Sequence, residues 1–289
     1  MPSLIDIRRR VRSVKNMQQI TKAMKMVSAA KLRRAQENAL AARPYGKILN
    51  DILSNVAQAA AQDPDSSHDL LTVRPEKKVL LLVITADSGL AGGFNSNLLK
   101  TAQKFIHEHQ DAYPQAELSI EAIGRKGRDY FRRRGMKMVA EHTDVLRVVK
   151  YEDADRIAAS IIDRYTKGEI DAVYLFVNQF KSVMAPEITQ RRLLPIEVPA
   201  TSAPVDYIYE QPPAELLGSM LPRYIKLQIY RSLLETFAAY QAARMTAMDA
   251  ATSNANDMID KLTLYMNRVR QATITREIIE IVSGAAALD

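Results

Sequence analysis

Between Arg223 and Ser283 the chain runs for 61 residues without a glycine or a proline. Within that stretch Ile225, Ile229, Leu233, Phe237, Tyr240, Ala243, Ala247, Ala251, Met258, Leu262, Tyr265 and Val269 recur at close to the helical period, and strand-like alternation is absent. The pattern predicts one very long helix. At ~1.5 Å per residue it would span ~90 Å, whereas a compact domain of this chain length is only ~40 Å across. Most of such a helix has to find its cover elsewhere.

The other end of the chain offers part of that cover. Ser3 to Arg43 also lacks glycine and proline, and Ile7, Val11, Val14, Met17, Ile20, Met24 and Val27 form a candidate apolar stripe. Two long helices at opposite ends predict an antiparallel coiled coil. The alanines at 238, 239, 242, 243, 247, 250 and 251 would let the backbones approach closely. The lengths do not match, so ~20 residues, or ~30 Å, of the final helix are expected to stand alone. From Ile278 onward that end reads IIEIVSGAAALD, an apolar surface that a soluble monomer seldom leaves in water. A sleeve from another protein is expected.

Composition narrows the partners. The absence of cysteine excludes disulfides and thiol switching in this chain. The run Val79 to Ala86 is far short of the ~20 residues that cross a bilayer, and the N-terminus carries no signal-peptide core, so a cytosolic location is expected. The net charge of +7 is lopsided: residues 1 to 37 hold ten lysines and arginines against Asp6 and Glu37, which gives +8 and leaves the remainder at −1. A basic helix face of this kind suits an acidic protein surface or a nucleic-acid backbone, or simply stays solvated. Residues 1 to 37 contain no Phe, Tyr or Trp, so the stacking platforms of single-strand binders are missing.

Pro44 and Gly46 interrupt the first helical stretch, and Ile48 to Gln62 resumes its period, which predicts a kink followed by further turns. Turn formers at 63–67 and charges at 74–78 mark a boundary. From Lys78 to about Ile196, short β-rich runs (VLLLVITA, ELSIEAIG, Lys137 to Val145, DAVYLFVNQF) alternate with helical ones at 96–109, 125–134 and 153–167. This predicts a doubly wound, mostly parallel, Rossmann-like sheet. Thr189 to Ile196 is expected to add an edge strand with Gln190, Arg191 and Arg192 facing water. The fold class is therefore α/β, with a long antiparallel coiled coil of the terminal helices. The divisions are a coiled-coil helix at 1–60, the α/β domain at 75–200 and the long C-terminal helix at 210–289.

No catalytic constellation emerges. Asp87 to Asn95 (DSGLAGGFN) lies after a strand and before a helix, but Gly89, Gly92 and Gly93 do not form the dinucleotide fingerprint and no Walker lysine follows. Tight-turn glycines with Asn95 or Ser96 capping the next helix explain the same residues. His68, His107, His109 and His142 converge on no metal by spacing and read as solvated. Catalytic, cofactor-binding and metal residues are all expected to be none.

Four strings, ITKAMKMVSAAKLRRA (20–35), ITADSGLAGGFNSN (84–97), RMTAMDAATSNANDMI (244–259) and RQATITREIIEIVSGAAAL (270–288), resemble the gamma subunit of F-type ATP synthases in order and across nearly the whole chain. The resemblance implies a non-catalytic rotor shaft. Its coiled coil would turn inside a hexamer of alpha and beta subunits, and its α/β domain would meet the epsilon subunit and the membrane c-ring. It would couple c-ring rotation to conformational change at the catalytic sites. A bacterial-type complex without the chloroplast thiol switch is implied, on the cytoplasmic face of the plasma membrane. The alternative from another class is a nucleic-acid-binding protein that uses the basic N-terminal helix.

Residue by residue, the resemblance places Lys22, Met24 and Lys25 against an acidic loop of beta. Arg270 and Gln271 match a pair that hydrogen-bonds to a beta loop, Thr275 and Glu277 are coupling positions, and Arg244 helps hold the shaft. Ile278, Ile281, Val282 and Leu288 form the apolar bearing surface, while Tyr207, Tyr209 and Glu210 are candidates for contact with the c-ring and epsilon. Ser88 stands where the family usually has arginine, and Arg276 where it usually has glutamine.

Overall fold

The computed structural model describes residues 3–60, 68–182, 186–198 and 210–286. The chain forms two compact units, one of residues 30–243 and one that joins residues 1–29 to 244–289. The division falls within both terminal helices, α1 (Leu4–Ala60) and the last helix, Pro213–Ala286.

In the unit of residues 30–243, five strands make one sheet in the order β3-β2-β1-β4-β5: β1 Lys78–Ile84, β2 Glu117–Ile123, β3 Met138–His142, β4 Ala172–Phe180 and β5 Pro186–Leu194. The first four strands are parallel and β5 is an antiparallel edge. The crossovers are α2 (Phe94–Ala112), α3 (Arg125–Arg132) and α4 (Tyr151–Thr166). The near-continuous apolar run of β1 has a simple cause: both of its faces are buried. Val79, Leu81 and Val83 meet Leu98, Ile106 and Phe131 on one side. Leu80, Leu82 and Ile84 share the other core with Ile157 and Ile161 of α4, and also with the terminal helices. Leu53 and Val56 of α1, with Leu221, Ile225, Ile229 and Leu233 of α5 (Pro213–Ala286), complete that second layer.

The final helix, Pro213–Ala286, falls within the 210–289 division and passes through Gly218 and Pro222, and α1 goes on past Pro44 to Ala60, with the further turns expected there. Other expectations change. At Gly46 an added Cβ would lie 2.6 Å from Arg231 Nη1, so the glycine is the clearance for that guanidinium. Val145 leaves the strand and begins a short 3-10 turn, Val145–Arg147. Gln190 is exposed, but Arg191 and Arg192 are not water-facing. Arg191 donates to Ser232 Oγ at 2.5 Å, and burial lowers its pKa. Arg192 is ion-paired with Glu76. An edge strand that lies against a helix and a loop leaves those two side chains only partly open to water.

His109 and His142 depart from the solvated reading, whereas His107 is exposed as expected. His109 is buried, stacked on Phe105 at 5.3 Å between ring centroids. His142 Nε2 lies 2.9 Å from Oε1 of the fully buried Glu121, whose other oxygen is paired with Arg164. Burying the Glu121 carboxylate requires such partners. His68 Nδ1 accepts the Leu70 N–H at 3.1 Å, and His107 bonds Gln103 at 3.2 Å.

In the second unit, residues 4–29 of α1 run antiparallel to α5 beyond Ala243. α1 starts at a capping box: Ser3 Oγ accepts the Asp6 N–H at 3.2 Å, and the Asp6 carboxylate accepts the Ser3 N–H at 3.4 Å. The least exposed positions of α1 are Ile7, Val11, Val14, Gln18, Thr21, Lys25 and Ser28, with Met24 beside them. On α5 they include Met248, Thr252, Ala255, Ile259, Leu262, Met266 and Val269. Both sets alternate steps of three and four, the 3.5-residue repeat of a coiled coil.

A polar seam, a bare helix end and a filled crevice

The seam of the two-helix unit keeps only part of the apolar stripe read from the sequence: Ile7, Val11, Val14 and Met24 stay with it, and the rest turns away. Met17, Ile20 and Val27 are 55–56% exposed. Their places in the seam are taken by Gln18, Thr21, Lys25 and Ser28, because the repeat that starts at Ile7 keeps strict three-four spacing through those polar residues. Met258 and Tyr265 of α5 likewise face outward, and Met248 and Ala255 are buried instead.

Three rungs connect the helices. Gln18 donates its amide to Asn256, Thr252 Oγ1 donates to Thr21 Oγ1 at 2.8 Å, and Lys25 Nζ meets Asp249 Oδ1 at 2.5 Å. As the α1 number rises the α5 number falls by nearly the same step, which defines the antiparallel register. Leu4 lies fourteen residues before Gln18, and fourteen residues after Asn256 is Arg270. From Arg270 to Ser283 every residue is exposed. α1 ends its cover where the register says it must.

That bare end contains Arg270, Gln271, Thr275, Glu277, Ile278, Ile281 and Val282, all on the continuous helix. Ile278 is 55% exposed, Ile281 71% and Val282 61%. At ~100° per residue, Ile274, Ile278, Ile281 and Val282 share one face, while Arg276 and Glu280 take the opposite one. With Ile279, 58% exposed and to one side of these, the apolar surface is a broad band rather than a full collar. Leu288, Tyr207 and Tyr209 lie outside the described residues, and Glu210 is exposed just ahead of α5.

Of the basic residues, Lys22 is exposed and Met24 half-buried. Lys25 is not a free cation, since Asp249 holds it in the seam. Arg244 is half-buried.

The crevice of the α/β unit has its own occupant. In doubly wound sheets ligands bind at the carboxyl ends of the strands where the strand order reverses, here between β1 and β4. That space holds Ala86, Ala91 and Phe94 packed on Ala239 and Tyr240 of α5, with Phe180 of β4 against them. Phe94 and Tyr240 meet edge-on at 5.6 Å, and the Tyr240 hydroxyl lies 2.5 Å from Ser88 Oγ. The expected helix caps are absent: Asn95 Oδ1 accepts the Ala86 N–H at 2.9 Å, Ser96 Oγ donates to Gly93 O at 3.2 Å, and the turn is thereby closed on itself. Asp87 Oδ1 accepts from the backbone of Arg125 and Asp144, tying three strand ends together. Gly124, at φ +95°, allows the close passage, since a Cβ there would sit 2.0 Å from Thr85 O. An aromatic side chain and a hydroxyl pair stand where a nucleotide would need room.

Tyr240 and the polar rungs were missed in the sequence. The signal that could have found the rungs is the spacing, which continues from Val14 to Leu32 only if polar residues are admitted to the seam. For Tyr240 no local signal exists.

Comparisons agree with this architecture. The family model described as ATP synthase matches residues 3–288. The chain is 58% identical over 290 residues to an ATP synthase gamma chain of Solibacter usitatus, and 51% identical over 292 residues to one of Pelotomaculum thermopropionicum, each alignment covering 100% of both chains. Among solved structures, a rotor chain of the Euglena gracilis mitochondrial ATP synthase aligns with TM-score 0.66 at 16% identity, covering 94% of this chain and 98% of that one. A central stalk and c-ring structure from Tetrahymena thermophila contains a chain that aligns with TM-score 0.62 at 22% identity, covering 80% and 99%. At those identities the structures speak for the fold, and the full-length relatives speak for the family. The nucleic-acid alternative finds no support in them. The chain belongs to the family of ATP synthase gamma chains, the non-catalytic rotor subunits of that complex.

Proposed function

We propose that the bare end of α5 is the bearing of the rotor and that the exposed Lys22 is a point of electrostatic coupling. The observation that carries this is the uncovered stretch from Arg270 to Ser283, whose apolar stripe requires a partner to keep it from water. The hexamer of alpha and beta subunits is the partner that fits, because dispersion contacts are individually weak and do not hold a rotating rod at one angle. Arg270, Gln271, Thr275 and Glu277 provide polar contacts just below the stripe. Arg244 supports the seam from its half-buried position.

Lys22 and Lys25 act differently in this reading. Lys22 is available to an acidic loop of beta, whereas Lys25 is first a structural rung with Asp249. Reversing charge at Lys22 is therefore the cleaner test of coupling. The α/β unit takes the epsilon subunit and the c-ring, with Glu210 and the neighbouring Tyr207 and Tyr209 as contacts. Among the described residues no helix is long and apolar enough to cross a membrane, so attachment runs through the c-ring, at the cytoplasmic face of a bacterial plasma membrane.

The test is assembly. Removing 278–289 should leave the α/β unit folded and weaken capture of the alpha and beta subunits by a tagged chain. Normal yield of a fully coupled complex from the truncated chain would overturn the bearing role. With Lys22→Glu, the complex should still assemble but pump fewer protons per ATP hydrolysed.

A further inference from the structure

At the opposite edge of the sheet from the filled crevice, where the parallel strands begin, a groove of about 600 Å³ lies between the approach to β1 and the turn after α2. That volume falls in the range of small-molecule sites, ~300–1,000 Å³. Its walls differ in character. Val73, Pro75, Tyr113 and Pro114 supply an apolar side, and Val73 and Tyr113 are among the exposed large apolar residues of the chain. Arg74, Lys77 and Arg192 supply cations against one lining carboxylate, Glu76.

The carboxylate is already committed. Glu76 accepts the Tyr174 hydroxyl at 2.9 and 3.2 Å and pairs with Arg192. Burial and that carboxylate push the Tyr174 phenol up to about 12, so it stays a proton donor. Glu76 thus balances Arg192, and of the other two lining cations Arg74 keeps Asp69 nearby while Lys77 is the one left for a ligand's charge. Arg74 is fixed in place: its Nη1 donates to Tyr165 O at 2.8 Å, its guanidinium lies 4.8 Å from the Tyr165 ring centre, and its partner Asp69 is 3.8 Å away. Lys77 is exposed at the rim. Tyr113 is fixed as well, its ring 4.9 Å from that of the buried His109. Walls held this way lose little freedom when a ligand enters.

We propose that this groove binds a small amphipathic anion, a carboxylate on an apolar body, with the acid on Lys77 and Arg74 and the body against Tyr113 and its flanking prolines. A charge surplus beside a fixed aromatic wall selects that class over a neutral apolar molecule, which leaves the cations unused, and over an inorganic anion, which leaves the wall unused. The groove's lining shares no residue with the proposed rotor contacts, so its test is independent of theirs.

The probe is 4-phenylbutyrate, titrated into the full chain and followed by backbone amide shifts, with 4-phenylbutyramide and acetate as controls. The acid should saturate with a Kd of ~1 mM, moving the amides of residues 73–77 and 112–116, and both controls should bind at least ~10-fold more weakly. Lys77→Gln should weaken the acid by a similar factor, and Tyr113→Ala should do so while the melting temperature stays within a few degrees. Lys126→Gln, an exposed lysine elsewhere, should leave it unchanged. Equal binding of acid and amide, shifts that map to other residues, or no saturation would overturn the proposal.

Discussion

The two units of this chain are held together by different means. In the unit of residues 30–243 both faces of a parallel sheet are sealed, and Leu80, Leu82 and Phe176 have no exposed surface. In the two-helix unit part of the seam is built from Gln18, Thr21, Lys25 and Ser28, and residues 270–283 of α5 are all exposed. Apolar burial is non-directional and rewards tight packing. Polar rungs add little net energy but admit one register. The first unit therefore rests mainly on apolar burial, whereas the second is specified more than it is stabilised.

The largest break in that contrast comes from the sheet. Phe176→Ala should cost about 3–5 kcal/mol and lower the melting temperature of the chain, while the same truncation at an exposed seam-flanking residue such as Ile20 should stay within about 0.5 kcal/mol. A comparable loss at Ile20 would mean the sequence-derived stripe, not the polar seam, holds the helices together. Next in size, Tyr240→Phe removes the hydroxyl facing Ser88 and should cost about 1 kcal/mol by chemical denaturation, with the ring still filling the crevice.

The rungs themselves sharpen the comparison at a smaller scale. A double-mutant cycle on Lys25 and Asp249 should return about 0.2–1 kcal/mol, weaker at high salt, since both side chains keep contact with water. Ile278→Ala and Ile281→Ala should leave the melting temperature of the isolated chain unchanged and show their effect only in assembly with alpha and beta subunits. The smallest effect concerns the start of α1. Bonds from Ser3 hold the Asp6 carboxyl below its ordinary value of 3.8. With the folded pKa depressed, its contribution is present above ~4 and is lost as pH falls through the lower folded value. Amide exchange in the first turn of α1 should therefore quicken below that pH while the sheet amides stay protected.

The sheet was legible because its signals are local: short β-rich runs, turn glycines and a strand with two buried faces leave marks within a few residues. The terminal helices were legible as helices from their length without breakers, even where Pro44 and Gly46 suggested interruption. What one helix presents to another was not. A stripe drawn through Met17, Ile20, Met24 and Val27 follows hydrophobicity, but the partner helix offers Asp249, Thr252 and Asn256 opposite α1 and draws the polar face inward. Arg191 was assigned to water because an edge strand has one open side. Ser232, forty-one residues further on, closes that side. The candidate bearing, by contrast, could be read directly, since it depends only on one helix outlasting the other.

The uncovered stripe at the end of α5 also bears on supply. Chains made faster than their partners would carry sticky ends into solution, where the nearest match for such a stripe is its own copy. Purification alone should therefore favour clumping at high concentration unless those last turns are trimmed or capped.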